Sequence, residues 1–500
     1  MFASLAAALM TLSLPIHQSP RVPLEGHPIF GDLGKQWEAL MPDFHVTGYS
    51  VVAIQEGKVV LLDGIGSADP TRGTKADLDT RYYIASITKT MTATAILQLA
   101  EQGKLELDAP VQRYLPRFTL ADAEYAKTIT LRDLLCHRPG IGGGRVWLLE
   151  AYTGQVNDDR FYKILGTSQP EKKVTYSNAH FTILGRVIEA VTGMGWREYL
   201  AKNVFAPLGM TRTTGFISAM HDDANKAVPL RFGRGGVQIA EMMKTDRTMH
   251  AAGGIVTTPR DMVAYLQMWM NQGAWSGTRV LPEKTVGDAL TIQAPIEENG
   301  SIRILRGFGY AWNLGAYRKH EGFAAHGGSY TGYGAYIAML PKEKTAVAVF
   351  VNTGQSGGAF GTLVAIDMLD RMLGYPVDKE LRADYLAQAL KFSDGIVAGK
   401  TFGPNPALSG QLSLPAESYA GVFANEPYGS IEVSLTGGQL KLDWGDLSQL
   451  LVSSGMDMAT LHDSVDARAS DTIRFVVEGK RVTGLVLDPE GDSIRFERKR

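Results

Sequence analysis

Between Val46 and Asp69 the apolar positions come in short β-branched runs, "VTGYSVVAIQ" and "KVVLLDGIGSAD", broken at Glu56-Gly57-Lys58. That pattern predicts two strands joined by a tight turn. From Tyr83 to Glu101 the period changes: "YIASITKTMTATAILQLAE" is apolar, small or hydroxylated except at Lys89. It predicts a helix buried on most faces, with Gly103 as its C-terminal cap. From Leu105 to about Arg247 the pattern is helical and loop-rich, and it includes "SNAHFTILGRVIEAVTG", a helix stopped by Gly193. Next, "TTPRDMVAYLQMWM" opens a helix with Thr258 as N-cap, Pro259 at the first position and Asp261 at the third. Strand character returns in "GFGYAWNLG" and in "GYGAYIAMLPKEKTAVAVFVN", a hairpin turning at Pro341 to Lys344, before a helix from about Thr362 to Leu373.

Strands at both ends, helices between them and hairpin connections predict an α/β (α+β) first domain over residues 23–376. Its antiparallel sheet is assembled from the two chain ends and flanked by helices, with a mostly helical region inserted. Residues 377–414 read as a charged helical connector, Lys379 to about Ala398, followed by the loop "TFGPNPALSG". From Pro415 the composition shifts to short alternating strands: "YAGVFAN", "SIEVSLTGGQLKLDW", "TIRFVVEGKRVTGLVLD" and "SIRFERKR". Residues 415–500 therefore read as a separate antiparallel barrel, lipocalin-like, or a sandwich.

The chain has 500 residues, 45% hydrophobic and 20% charged, which suits a globular protein of two or three domains. A net charge of −2 with no basic cluster argues against nucleic acid or an anionic membrane as main partner. The single cysteine, Cys136, excludes an intrachain disulfide and a multi-cysteine metal site; behind two leucines it reads as a buried, inert thiol. No metal or cofactor signature is present, and His221 in "MHDDAN" reads as part of a polar loop. Residues 1–22 open with an apolar run, Phe2 to Leu14, of signal-peptide length and too short to span a bilayer. This predicts export to the periplasm or beyond, while the missing basic segment leaves a cytoplasmic location as the alternative.

Lys89 carries the chemical question. A lysine is almost never fully buried without a partner, and it could snorkel or pair with a distant carboxylate. A lone Ser-x-x-Lys decides nothing, but three landmarks occur in order: "SITK" (Ser86 to Lys89), "YSN" (Tyr176 to Asn178) and "HGGS" (His326 to Ser329). With them the chain resembles the penicillin-recognising serine hydrolases: class C β-lactamases, low-molecular-weight DD-peptidases, D-aminopeptidases and related esterases. The likeness spans about residues 25–375 and includes "ITLRDLLCHRPGI", "VFAPLGMTRT" and "AAGGIVTTPRDM".

At i, i+3 on a helix, Ser86 and Lys89 share one face, about 5–6 Å apart at Cβ. Desolvation favours the neutral amine, which can accept the Ser86 proton, and the helix N-terminus aims positive dipole at a developing oxyanion. The resemblance implies that Tyr176 lies across the pocket and relays a proton to the leaving group. It implies that Asn178 binds the substrate amide or holds Lys89, and it assigns Ser177 no role. The N–H groups of Ser86 and Ser329 are implied as the oxyanion hole, with Gly328 and Ser329 on an edge strand against the substrate.

His326 stands where lactamases of this group carry lysine, as in several peptidases and esterases. Imidazole is largely neutral at pH 7, which removes a permanent cation and weakens the case for an efficient β-lactamase. Its titration is expected near 6.5 unless the site shifts it.

The expected function is a serine hydrolase, working without a cofactor through an acyl-enzyme on Ser86. Its substrates are expected to be small peptides or amides, as in a D-amino-acid peptidase or DD-carboxypeptidase. A carboxylesterase or weak β-lactamase is the runner-up, with β-lactams as acylating ligands. A non-catalytic peptide or penicillin receptor on the same fold is the alternative of another class. A rival nucleophile, Ser356 in "GQSGG" (Gly354 to Gly358), fits the elbow of an α/β-hydrolase. Hairpins before it, and His462 as the only later histidine, argue against it.

Overall fold

The expected first hairpin forms from β1 (Gly48–Gln55) and β2 (Lys58–Asp69). Glu56 (φ 51) and Gly57 (φ 75) both take the left-handed conformation that a two-residue hairpin turn requires. The computed structural model describes residues 19–142, 149–233, 236–240, 244–354, 356–397, 412–461, 472–487 and 493–499. Most of the expected leader (residues 1–22), the loop after Val397 and His462 lie outside the described residues.

The main sheet continues with β3 (Thr74–Lys75), β4 (Ala294–Asn299), β5 (Arg303–Phe308), β6 (Asn313–Tyr317), β7 (His320–Tyr330), β8 (Tyr333–Leu340) and β9 (Thr345–Val351). Its order is β4-β5-β6-β7-β8-β9-β1-β2-β3. The two chain ends meet at β1 and β9, antiparallel from Tyr49↔Val351 to Ile54↔Ala346. The hairpin at Pro341 to Glu343 closes with Lys344 at φ 48.

Two expectations change here. "GFGYAWNLG" is not one strand: it spans the end of β5, a turn with Ala311 at φ 64, and the start of β6. As a result, three strands extend the sheet beyond β7, so His326 to Ser329 lie on an interior strand rather than at an edge.

Near-continuous apolar runs in β1 follow from burial on both faces. Tyr49, Val51 and Ala53 pack with α1 (Gly31–Leu40) and α5 (Ser356–Met372), whereas Val52 and Ile54 join the core around α2 (Thr88–Glu101). Helix ends follow the local signals. In α3 (Asn178–Thr192) Gly193 caps in the left-handed conformation, and in α4 (Pro259–Met270) the Thr258 hydroxyl accepts the Asp261 N–H. α6 (Lys379–Val397) packs against α5.

Gly421–Asn425 is the first of eight strands in a closed barrel, not a sandwich. The barrel closes where Phe423 pairs with Arg498 of the last strand, Ile494–Arg498. Phe423, Ile431, Trp444, Phe475 and Phe496 fill its interior. Strands Leu447–Gly455 and Met458–Leu461 escaped the sequence pattern. Among the described residues no helix is long and apolar enough to cross a membrane.

Candidate active site

Ser86 sits in a single 3₁₀ turn, Ala85–Ile87, that runs directly into α2. Ala85 holds φ +42, which costs a residue with a Cβ about 1–2 kcal/mol. Strain of this kind concentrates where surrounding structure aims a side chain.

Lys89, one turn on, has no exposed surface. Its Nζ lies 3.0 Å from Ser86 Oγ, 2.7 Å from Asn178 Oδ1 and 2.7 Å from the Ala252 carbonyl oxygen. Burial pushes its pKa well below the ordinary lysine range. A neutral amine has two N–H donors and one lone pair. Asn178 and Ala252 are acceptors here and take both donors, which leaves the lone pair for the Ser86 hydroxyl proton.

The short loop before α3 brings Tyr176 and Asn178 to the same place. Ser177, to which the sequence assigned nothing, is the N-cap: its Oγ accepts the Ala179 N–H and donates to the Ile141 carbonyl at 2.8 Å. That frees Asn178, at the first helical position, to reach Lys89. The Tyr176 ring centroid is 4.8 Å from Lys89 Nζ. Although the residue is 41% exposed, desolvation raises the pKa of its hydroxyl, opposed in part by a hydrogen bond with Ser86.

On β7, His326 is buried, its ring 6.2 Å from that of Tyr176. Its Nδ1 lies 2.7 Å from the Gly327 carbonyl, so Nδ1 carries the proton and Nε2 is left as an acceptor. Burial first, and Lys89 second, lower its pKa to about 3. The site thus shifts the titration away from 6.5, as the sequence reading allowed, and leaves His326 neutral across the physiological range.

Gly328 is a steric necessity. A Cβ there would stand 2.1 Å from the Ile84 carbonyl oxygen and 3.4 Å from Ser86 N. Only glycine lets β7 approach the nucleophile turn, which brings the Ser86 and Ser329 backbones together. The cleft they open holds about 500 Å³ and is also lined by Phe308, Asn313 and Tyr336.

Sequence reasoning missed a histidine pair behind Tyr176. His137 Nδ1 lies 2.9 Å from His180 Nδ1 and accepts the Ser177 N–H at 3.2 Å, while His180 Nε2 accepts the Ile141 N–H. These bonds place the shared proton on His180. The His137 ring packs 4.6 Å from Tyr176, and burial pushes both histidines down, His180 to about 3. Both were visible, in "LLCHRPG" and "SNAH", but nothing local announced that they touch.

The rivals fall away. Ser356 is buried and its Oγ donates to the Phe44 carbonyl at 2.7 Å, in a chain whose main sheet is antiparallel throughout. Cys136 is buried and desolvation pushes its thiol up to about 11. His221 is exposed at the end of the short helix Ser218–His221.

This arrangement, an antiparallel sheet with a serine and a buried lysine one turn apart at the start of a covered helix, defines the serine hydrolase fold of the penicillin-recognising class. The chain belongs to the beta-lactamase family, whose model matches residues 35–366. It is 28% identical over 349 residues to "Penicillin-binding protein 4" of Amycolatopsis lactamdurans, covering 66% of this chain and 87% of that one. It is 26% identical over 454 residues to "Unguisins hydrolase ungD" of Aspergillus violaceofuscus, covering 83% of this chain and 78% of that one. Among solved structures, the octameric penicillin-binding protein homologue from Pyrococcus abyssi shares the fold over 94% of this chain and 98% of its own, with TM-score 0.59 and 22% identity. The D-amino acid amidase from Ochrobactrum anthropi SV3 shares it over 68% of this chain and 98% of its own, with TM-score 0.55 and 23% identity.

Proposed function

We propose that the protein is an acyl-transferring hydrolase of small amides or peptides, D-amino-acid amides foremost, with Ser86 as nucleophile and Lys89 as its base. The observation that carries this reading is the saturation of Lys89: both N–H donors are taken by carbonyl oxygens and the lone pair faces Ser86 Oγ at 3.0 Å. As Oγ bonds to the substrate carbonyl carbon, its proton passes to Nζ. The oxyanion forms beside the Ser86 and Ser329 N–H groups. Tyr176 then delivers its proton to the leaving nitrogen and the C–N bond breaks. Water next attacks the acyl carbon and gives its proton to Tyr176, and the ester bond breaks as Ser86 Oγ takes back the proton held on Lys89. Asn178 holds Lys89 in place, and Nε2 of His326 is an acceptor for a substrate N–H.

The cleft also favours an uncharged acyl donor. Among its described lining residues there is no lysine or arginine, and His326 is neutral. A substrate carboxylate, as in β-lactams or peptides with a free C-terminus, meets no fixed cation among those described residues. Amides and simple esters lose nothing by this, which keeps ester hydrolysis as the second reading.

The test is labelling with a fluorophosphonate, then turnover of D-phenylalanine amide, a D-Ala-D-Ala peptide, a p-nitrophenyl ester and nitrocefin. The adduct is expected on Ser86, with the amide and ester turned over faster than the two carboxylate substrates. An adduct on another serine overturns the mechanism. Stoichiometric acylation without turnover of any substrate favours the receptor alternative.

A further inference from the structure

Tyrosine rings run in a line from the barrel side of the molecule to the nucleophile. The Tyr152 ring lies 6.1 Å from that of Tyr330, which lies 5.2 Å from that of Tyr83. Tyr330 directly follows Ser329, and Tyr83 ends the short strand Tyr82–Tyr83 just before the turn that carries Ser86. The two rings nearest the site are therefore attached to the two backbones whose N–H groups face the oxyanion. Lys244, buried, sits 5.3 Å from the Tyr152 centroid and 4.8 Å from that of Tyr330, and donates to the Ala151 and Thr248 carbonyls.

The outer end of this line is gripped by one turn of the barrel. The Asp446 N–H donates to the Thr153 carbonyl at 2.8 Å. Its carboxylate accepts from the Thr245 hydroxyl at 2.6 Å and from the Arg247 guanidinium, and the side chain is only 8% exposed. One residue thus ties together the segments that carry Tyr152 and Lys244. The fit is close enough to demand glycine on both sides. A Cβ at Gly445 (φ +62) would lie 2.2 Å from the Thr153 carbonyl, and one at Gly154 (φ +59) 2.7 Å from Asp446 Oδ2. An exposed ion pair in this place would contribute little. The Arg247 side is of that kind, being 69% exposed. The shielded carboxylate is also the acceptor of the part-buried Thr245 hydroxyl, which loses that partner when Asp446 is truncated, and the segments shift to find another.

We infer that Asp446 is a positioning residue for the oxyanion hole: the barrel turn clamps the Tyr152 and Lys244 segments, and the tyrosine line sets the spacing of the Ser86 and Ser329 N–H groups. The inference rests on the acyl-enzyme reading above. It makes the barrel part of the machinery that sets kcat for every acyl donor.

The test uses the full-length chain with Asp446→Ala and Asp446→Asn, a p-nitrophenyl ester, and phenylboronic acid, whose tetrahedral adduct needs the same two N–H groups. Asp446→Ala is expected to lower kcat by about tenfold with KM within about twofold, and to weaken boronate inhibition by about the same factor as kcat. Asp446→Asn keeps an acceptor for Thr245 and is expected to stay within about threefold of wild type. A folded Asp446→Ala whose kcat and boronate affinity match wild type overturns the coupling, as does a parallel rise in KM alone. If Asp446→Ala does not fold, Thr245→Val removes a single bond to the same carboxylate and is read by the same two quantities. Fluorophosphonate labelling of the wild type separates the failures. No adduct on Ser86 sinks the acyl-enzyme reading, whereas an adduct with unchanged Asp446 kinetics sinks the clamp alone.

Discussion

Gly328 and Ile84 are separated by so little that a Cβ on Gly328 would stand 2.1 Å from the Ile84 carbonyl oxygen. β7 and the nucleophile turn can meet only through that missing methyl group. Gly328→Ala must push one backbone away from the other, and the oxyanion N–H groups with it. We expect kcat/KM to fall by about 10²-fold or more, the cost of losing an oxyanion donor. Fluorophosphonate labelling of Ser86 should slow in proportion. Unchanged labelling would mean that the strands separate without disturbing the site.

Lys89→Met should be inactive and yet no less stable than wild type, since it removes a fully buried amine while keeping its apolar stem. The sign with pH is defined. Burial lowers the pKa of Lys89 in the folded state, so the unfolded chain binds more protons up to about pH 10.4. Wild-type stability therefore rises through the alkaline range until that pH is reached. Urea unfolding from pH 7 to 10 should show a shallower rise for Lys89→Met, and an identical slope would mean Lys89 is charged in the folded protein.

With its pKa at about 3 in the folded state, His326 should contribute no limb to the kcat/KM profile between pH 5 and 8. It should instead cost stability in acid. The unfolded chain takes up its proton below about pH 6.5 and the folded one only near pH 3. His326→Gln should therefore flatten the acid loss between those values, by up to about 1.4 kcal/mol per pH unit. His326→Ala should lower kcat/KM by about 10²-fold if Nε2 binds substrate. His326→Lys should speed acylation by carboxylate-bearing β-lactams relative to neutral esters, by charge pairing. Wild-type rates for both variants on every substrate would remove His326 from the site.

Ser356→Ala should leave turnover within about twofold of wild type. It should lower stability by about 1 kcal/mol, the worth of its buried bond to the Phe44 carbonyl. Loss of activity without loss of stability would reopen the elbow reading of "GQSGG".

What the sequence determined by itself is what depends on neighbours along the chain. Ser86 and Lys89 share a face because three residues are nearly one helical turn, whatever surrounds them. Thr258, Gly193 and the Glu56-Gly57 turn act within a few residues, so their roles were legible before any fold was known. The alternation after Pro415 likewise announced a β module. Barrel and sandwich share that alternation, and only the pairing of Phe423 with Arg498 separates them. The strand pattern of "GFGYAWNLG" hid a turn for a related reason: the left-handed position is held by Ala311 (φ 64), not by a glycine, and the turn closes only through the Gly309 N–H to the Trp312 carbonyl. The remaining features belong to tertiary structure because their partners lie far apart in sequence. His137 and His180 are 43 positions apart, and Lys89 and Ala252 are 163 apart. Thr245 and Asp446 are 201 apart. Residue type alone states what such groups can donate or accept. Which of them meet, and which are cut off from water, is decided by the packing, and that desolvation is what pushes the pKa values of Lys89 and His326 down.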